Sequence, residues 1–147
     1  MPHLHAAALS AQQFFQGAAR FAVAGASSDR SKYGNKVLRW YQDRKMDVTP
    51  VNPKGGSIEG LDAATCLSDL VTPATSPVCA VSIITPPEVT TRLMQEAHAA
   101  GMSRVWLQPG SESAEALKFG EEHDMIVVHN YCILVSGDDA RSQTSKI

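Results

Sequence analysis

No stretch of this chain comes near the roughly 20 consecutive apolar residues that a membrane-spanning helix needs. Basic clusters are missing too: 13 Lys and Arg stand against 15 Asp and Glu, a formal net charge of −2. A protein that grips a nucleic-acid backbone needs a dense positive surface, so neither nucleic acid nor a membrane is expected as a partner. Cysteine is scarce. Cys66, Cys79 and Cys132 are odd in number and far apart, with no Cys-x-x-Cys pair. That spacing excludes a disulfide framework, offers no zinc-ligand pattern and points to a reducing compartment. His3 and His5 have no third ligand nearby, so no metal is expected. Catalytic signatures are equally absent, with no Ser-x-x-Lys, His-Glu-x-x-His or Gly-x-Ser-x-Gly. The first 28 residues lack acids and hold a single arginine. A mitochondrial presequence is richer in arginine than that, and a cytoplasmic location is expected.

What is present is an alternation of strand and helix signals in a soluble composition, 44% apolar and 19% charged over 147 residues, the length of one domain. Residues 1–9 read as a loose lead-in, and Ser10 opens a short helix to about Ala18. Phe21 to Ala24 is a first strand, and a helix starts near Gly34 with Val37, Leu38 and Tyr41 on one stripe. Asp47 to Pro53 is a second strand, Ile58 to Thr65 a short extended piece, and Leu67 to Leu70 a helical turn. After a loop over 71–77 comes the apolar strand Val78 to Ile84, as expected of a strand covered on both faces. Thr85 caps the next helix, which Gly101 ends. Arg104 to Gln108 is a strand, Ser111 or Ser113 caps a further helix, and Met125 to His129 is the last strand. Residues 136–147, polar and without apolar period, are expected to be a disordered tail. Alternating strands and helices imply crossover connections. The expected fold is therefore α/β: a three-layer Rossmann-like domain over 10–135, with a parallel sheet of about five strands and helices on both faces.

In an open parallel sheet the ligand sits outside the carboxyl ends of the strands. The residues that follow the strands are Gly25, Ala26, Ser27 and Ser28; then Asn52, Pro53 and Lys54; then Thr85, Pro86 and Pro87; then Gln108, Pro109 and Gly110; and finally Asn130, Tyr131 and Cys132. They are rich in glycine, proline, hydroxyls and amides, and would gather into one polar crevice. The first loop is a poor match to Gly-x-Gly-x-x-Gly, but its hydroxyls, Lys32 and the following helix N-terminus form a phosphate-binding pattern. An NAD site ends its second strand on an acid that holds the ribose diol. Here that position is Asn52, with Lys54 beyond it, which suits a phosphorylated ribose: coenzyme A or NADP. Cys132, following the last strand, is the one candidate for a reactive thiol. His98 and His123 read as solvent-facing, and His129 as a structural residue at a strand end.

Taken in order, GAS at 25–27, VNPKGG at 51–56, EG at 59–60, TPPE at 85–88, WLQPG at 106–110 and the late Cys132 make a pattern. With it, the chain resembles the stand-alone CoA-binding domain proteins, which are similar to the N-terminal CoA-binding domain of the succinyl-CoA synthetase alpha subunit. The resemblance runs over about residues 15–135. It implies a Rossmann-like fold that binds coenzyme A, with residues 25–28 facing the pyrophosphate and Asn52, Pro53 and Lys54 near the adenosine 3′-phosphate. Thr85, Pro86 and Pro87 would flank the adenine or pantetheine path, with Gln108, Pro109 and Gly110 on the far rim. The synthetase's active-site histidine lies in a domain with no counterpart here, so ligase activity is not implied. The expectation is a binder of coenzyme A or a short acyl-CoA, monomeric or homodimeric. A CoA-linked thiol enzyme using Cys132, or a ligand-sensing regulatory module with Trp40 or Tyr41 exposed, are the alternatives.

Overall fold

The computed structural model describes residues 6–71 and 79–145. His3, His5, Val78 and the expected loop apart from Val71 lie outside the described residues. Among the described residues, the strands in chain order are β1 Arg20–Ala24, β2 Val48–Val51, β3 Ser57–Ile58, β4 Leu61–Asp62, β5 Cys79–Ile83, β6 Arg104–Leu107 and β7 Ile126–Val128. The helices are α1 Ala6–Phe15, α2 Tyr33–Asp43, α3 Pro87–Ala99, α4 Ala114–Glu122 and α5 Ile133–Ser145, with a 3-10 turn at Leu67–Leu70. Five strands pair in the order β2-β1-β5-β6-β7, every pair parallel. The piece expected as extended over Ile58 to Thr65 is instead a two-stranded antiparallel hairpin, β3-β4, apart from the main sheet.

Each face of the sheet has its own core. On one face α1, α2 and α5 bury Phe14, Phe15, Trp40, Tyr41 and Ile133 against Phe21, Val23 and Trp106. On the other, α3, α4 and the 3-10 turn bury Leu67, Leu70, Met94, Ala97 and Ala116 against Val81, Ile83, Val105 and Leu107. Burying one such large apolar side chain contributes about 1.5–3 kcal/mol. The aromatic face contains a polar pair as well. Tyr41 Oη and Ser82 Oγ lie 2.7 Å apart across α2 and β5, and burial pushes the Tyr41 hydroxyl pKa far up. Cys79, at the start of β5, is buried with its thiol pKa pushed up to about 11 by desolvation, a packing group and not a nucleophile.

Three further expectations are corrected. The first helix begins at Ala6, not Ser10, so the lead-in is shorter than residues 1–9, because the Ala-Ala-Ala-Leu run at 6–9 favours helix strongly. Thr85 does not cap α3. Pro86 holds that position, and the Thr85 hydroxyl pairs with that of Thr90 at 2.7 Å. Residues 136–145 of the expected tail continue α5. Ile133 and Ala140 are buried, and a side chain at Gly137 would sit 2.5 Å from the Trp40 indole. Arg44 also holds both oxygens of Asp138, at 2.5 and 2.7 Å. The buried stripe at 133, 137 and 140 is helical in period, but glycine and alanine give it little hydropathy. Helix α5 therefore carries packed structure past residue 135.

Candidate functional site

β1 lies between β2 and β5, so the chain reverses its direction of travel across the sheet at the carboxyl ends of β1 and β5. Helices that leave neighbouring strands to opposite faces open a crevice there. Two glycines let the backbone close on itself at this place. Gly25 has φ +90°, and a Cβ on it would lie 2.0 Å from the Ile84 carbonyl oxygen. A Cβ on Gly34 would lie 2.0 Å from the carbonyl oxygen of Gly25. The ends of β1 and β5 and the start of α2 are thus stacked backbone on backbone. Gly34 does the close-packing work of the last glycine in a dinucleotide fingerprint, nine positions after Gly25 because the loop between them is longer.

That loop is held from both sides. Asp29 accepts from the Ser31 amide at 3.0 Å and its hydroxyl at 2.7 Å, which lowers the Asp29 pKa. Asn35 Nδ2 donates to the Ser27 carbonyl at 2.9 Å and to Glu59 at 3.0 Å, while Arg30 pairs with Glu59 at 3.4 Å. Asn52 closes the other side, donating to the Ala26 carbonyl at 2.9 Å and accepting from the Lys54 amide at 2.8 Å. Its amide is a brace for the phosphate-loop backbone, a role not anticipated from sequence. Lys32 stands at the N-cap of α2, with no side-chain cap and no acid in the first turn. The positive end of that helix is left open to an anion.

The space enclosed is a cleft of about 560 Å³, lined by Gly25, Ala26, Ser27, Lys32, Asn52, Thr85 and Pro86 from the expected set. Ser31, Tyr33, Gly34 and Ile84 line it as well and were not anticipated. A smaller hollow of about 190 Å³ adjoins it, lined by Gln108, Pro109 and Cys132 together with the same Tyr33 and Ile84. Gln108 is buried and ties two elements together. Its carboxamide oxygen accepts from the Ile133 amide at 2.8 Å and its nitrogen lies 3.2 Å from Cys132 Sγ. Ser28, Lys54, Pro87 and Gly110 border neither space, and Pro53 faces a separate depression with Cys66 and Arg92. Pro86 and Pro87 carry no N–H, so the α3 side of the cleft offers a phosphate fewer donors than the α2 side. Among the described residues, no histidine or carboxylate lines either space. His98 and His123 are exposed, their rings 4.5 Å apart on the far side of α3 and α4. Trp40 and Tyr41 are buried, which removes the exposed apolar pair that a regulatory docking face would have used.

A five-stranded parallel sheet with a glycine-stacked switch point defines a Rossmann-like α/β domain. Its sequence matches the family described as CoA binding domain over residues 19–138, and the chain belongs to that family. Among solved structures it is similar to a conserved hypothetical protein from Pyrococcus furiosus, 33% identical with TM-score 0.71, covering 80% of this chain and 97% of that one. A Thermus thermophilus protein is 29% identical with TM-score 0.74, covering 90% and 94%. An acetyl-coenzyme A synthetase from Ca. Korarchaeum cryptofilum, at 23% identity and TM-score 0.62, shares the fold over 79% of this chain and 26% of its own. No curated protein matches the sequence. Among the described residues, no helix is long and apolar enough to cross a membrane, and no cluster of three potential metal ligands occurs.

Proposed function

We propose that this protein binds coenzyme A, or coenzyme A carrying a short acyl group, along the crevice from Asn52 to Cys132, without ligase chemistry of its own. The observation that carries this reading is the polarity of the crevice in a chain of the CoA binding domain family. One end presents Lys32 and the open N-terminus of α2, with Lys54 just beyond the Asn52 turn. The other end, around Gln108, Pro109 and Cys132, is lined by no charged residue. Coenzyme A has the same asymmetry, with its phosphates at one end and a neutral pantetheine thiol at the other. The pyrophosphate then lies over residues 25–27 and 32–34, the 3′-phosphate toward Lys54, and pantetheine passes Thr85, Pro86 and Ile84. The glycine backbone, hydroxyls, amide and Lys32 that line the cleft serve recognition in this reading.

Titration calorimetry with coenzyme A, dephospho-CoA, NADPH and NADH tests this. Coenzyme A should bind saturably and dephospho-CoA about five- to tenfold more weakly, the loss of roughly one charge-assisted contact. Saturable NADPH binding without coenzyme A binding would overturn the reading in favour of NADP.

A second reading rests on Cys132, whose half-buried sulfur lines the hollow where the pantetheine end would arrive. Its thiolate attacks one sulfur of the disulfide of coenzyme A. A Cys132–CoA disulfide forms as the original S–S bond breaks, and one free CoA thiolate leaves with the electron pair. Intact-mass measurement after incubation with CoA disulfide should show a single adduct that Cys132→Ser abolishes. An adduct that survives this substitution rules the reading out.

A further inference from the structure

Resting on the CoA reading, we infer that the hollow behind Tyr33 and Ile84 selects the acyl group: it takes a free thiol or a small neutral acyl group and rejects acyl groups that are long or carry a carboxylate. The two spaces share Tyr33 and Ile84, so pantetheine that runs from the cleft to Cys132 passes along these side chains. Beyond them lies about 190 Å³. At about 30 Å³ of liquid volume per water-sized group, that is room for roughly six such groups. The two terminal methylenes and the sulfur take half of it, which leaves space for the three heavy atoms of an acetyl group.

Charge selection follows from the lining. Tyr33, Ile84, Gln108, Pro109 and Cys132 include no cation, and both ends of the Gln108 carboxamide are engaged, with Ile133 and Cys132. A carboxylate brought here would lose water and find no counter-charge, a large cost. Lys36 lies beside this wall, but its ammonium sits 5.1 Å over the Tyr33 ring, on the helix exterior and not among the lining residues. Tyr33 is 56% exposed and is the wall whose side chain can be removed without opening the core. Tyr33 is thus the specificity-determining residue of the hollow.

The test compares coenzyme A, acetyl-CoA, succinyl-CoA and octanoyl-CoA by calorimetry on the full chain, with Tyr33→Ala and Tyr33→Phe alongside. Acetyl-CoA should bind within about threefold of coenzyme A, and succinyl- and octanoyl-CoA at least about tenfold more weakly. Tyr33→Ala should close the gap between octanoyl- and acetyl-CoA at least about fivefold, while Tyr33→Phe keeps it. Succinyl- or octanoyl-CoA binding as well as acetyl-CoA overturns the selectivity while leaving the CoA reading intact. An unchanged octanoyl-to-acetyl ratio in Tyr33→Ala overturns the role of Tyr33. Failure of coenzyme A itself to bind removes both readings together.

Discussion

The two ends of the sheet carry spaces of nearly equal size built on opposite principles. The cleft at the carboxyl ends encloses about 560 Å³, and a depression at the amino ends about 500 Å³. At the carboxyl ends, glycines bring three backbone segments into contact and an uncapped helix N-terminus faces the space. The amino-end depression has Phe15, Ala18 and Phe21 beneath it, with Lys45, Asp47 and Arg141 around it. Its backbone donor at Phe21 is already spent on the Asp47 carbonyl at 2.8 Å, and its charges are of both signs. The difference follows from the parallel sheet. A helix that follows a strand turns its positive N-terminus to the carboxyl end and its negative C-terminus to the other. Volume alone does not make an anion site; the direction of the chain does.

The largest effect expected is that of Gly25→Ala. The new methyl group meets the Ile84 carbonyl at 2.0 Å in a backbone with φ +90°, so the β1–β5 contact must part. A loss of about 3 kcal/mol or more is expected in denaturant unfolding, together with loss of CoA binding. A variant of undiminished stability would mean that backbone stacking does not set the carboxyl ends apart from the amino ends.

Asn52→Ala comes next. It removes the brace between the Ala26 carbonyl and the Lys54 amide, for about 1–2 kcal/mol of stability. Affinity for coenzyme A should fall about tenfold while NADH binding, if any, stays weak. Equal losses of stability and no loss of affinity would separate the brace from the site.

Lys45→Gly probes the opposite end. Lys45 has φ +57°, a conformation that costs an ordinary residue about 1 kcal/mol and glycine almost nothing. Stability should rise by up to about 1 kcal/mol, and CoA affinity should not change. A shift in affinity would show that the amino-end depression takes part in binding.

The smallest effect is expected for Asp138→Asn, which breaks the pair joining α2 to α5. The Arg44 hydrogen bond and charge lower the Asp138 pKa. Its contribution is therefore fully present above the unfolded carboxylate value of about 3.9 and is lost as pH falls through the lower folded value. The pair is exposed on the Asp138 side, so it contributes under about 1 kcal/mol. Thermal unfolding of parent and variant should differ slightly at pH 7 and converge in acid; a gap that widens in acid would contradict the pairing.

The strand positions and the loops that follow them were legible in sequence because apolar runs and Gly-Pro punctuation are local signals. β5, β6 and the 3-10 turn over Leu67–Leu70 appear within a residue of expectation. Helix α5 was not legible, since its buried stripe is written in Gly137 and Ala140, whose burial only the Trp40 surface reveals. Asn52 was legible as a loop amide but not as a brace, because its partner, Ala26, is 26 residues away. Tyr33 and Ile84 gave no signal at all: one looks like a helix start and the other like a strand end.

The amino-acid sequence by itself determined the alternation of elements, the parallel sheet and the family, because period, turn chemistry and motif order are properties of short segments. Tertiary structure alone decided that Gly34 completes the stack begun at Gly25 and that Tyr33 and Ile84 divide the crevice. It also decided which of the gathered loop residues face it. Those facts depend on which backbone meets which across the switch point, a relation between segments distant in the chain.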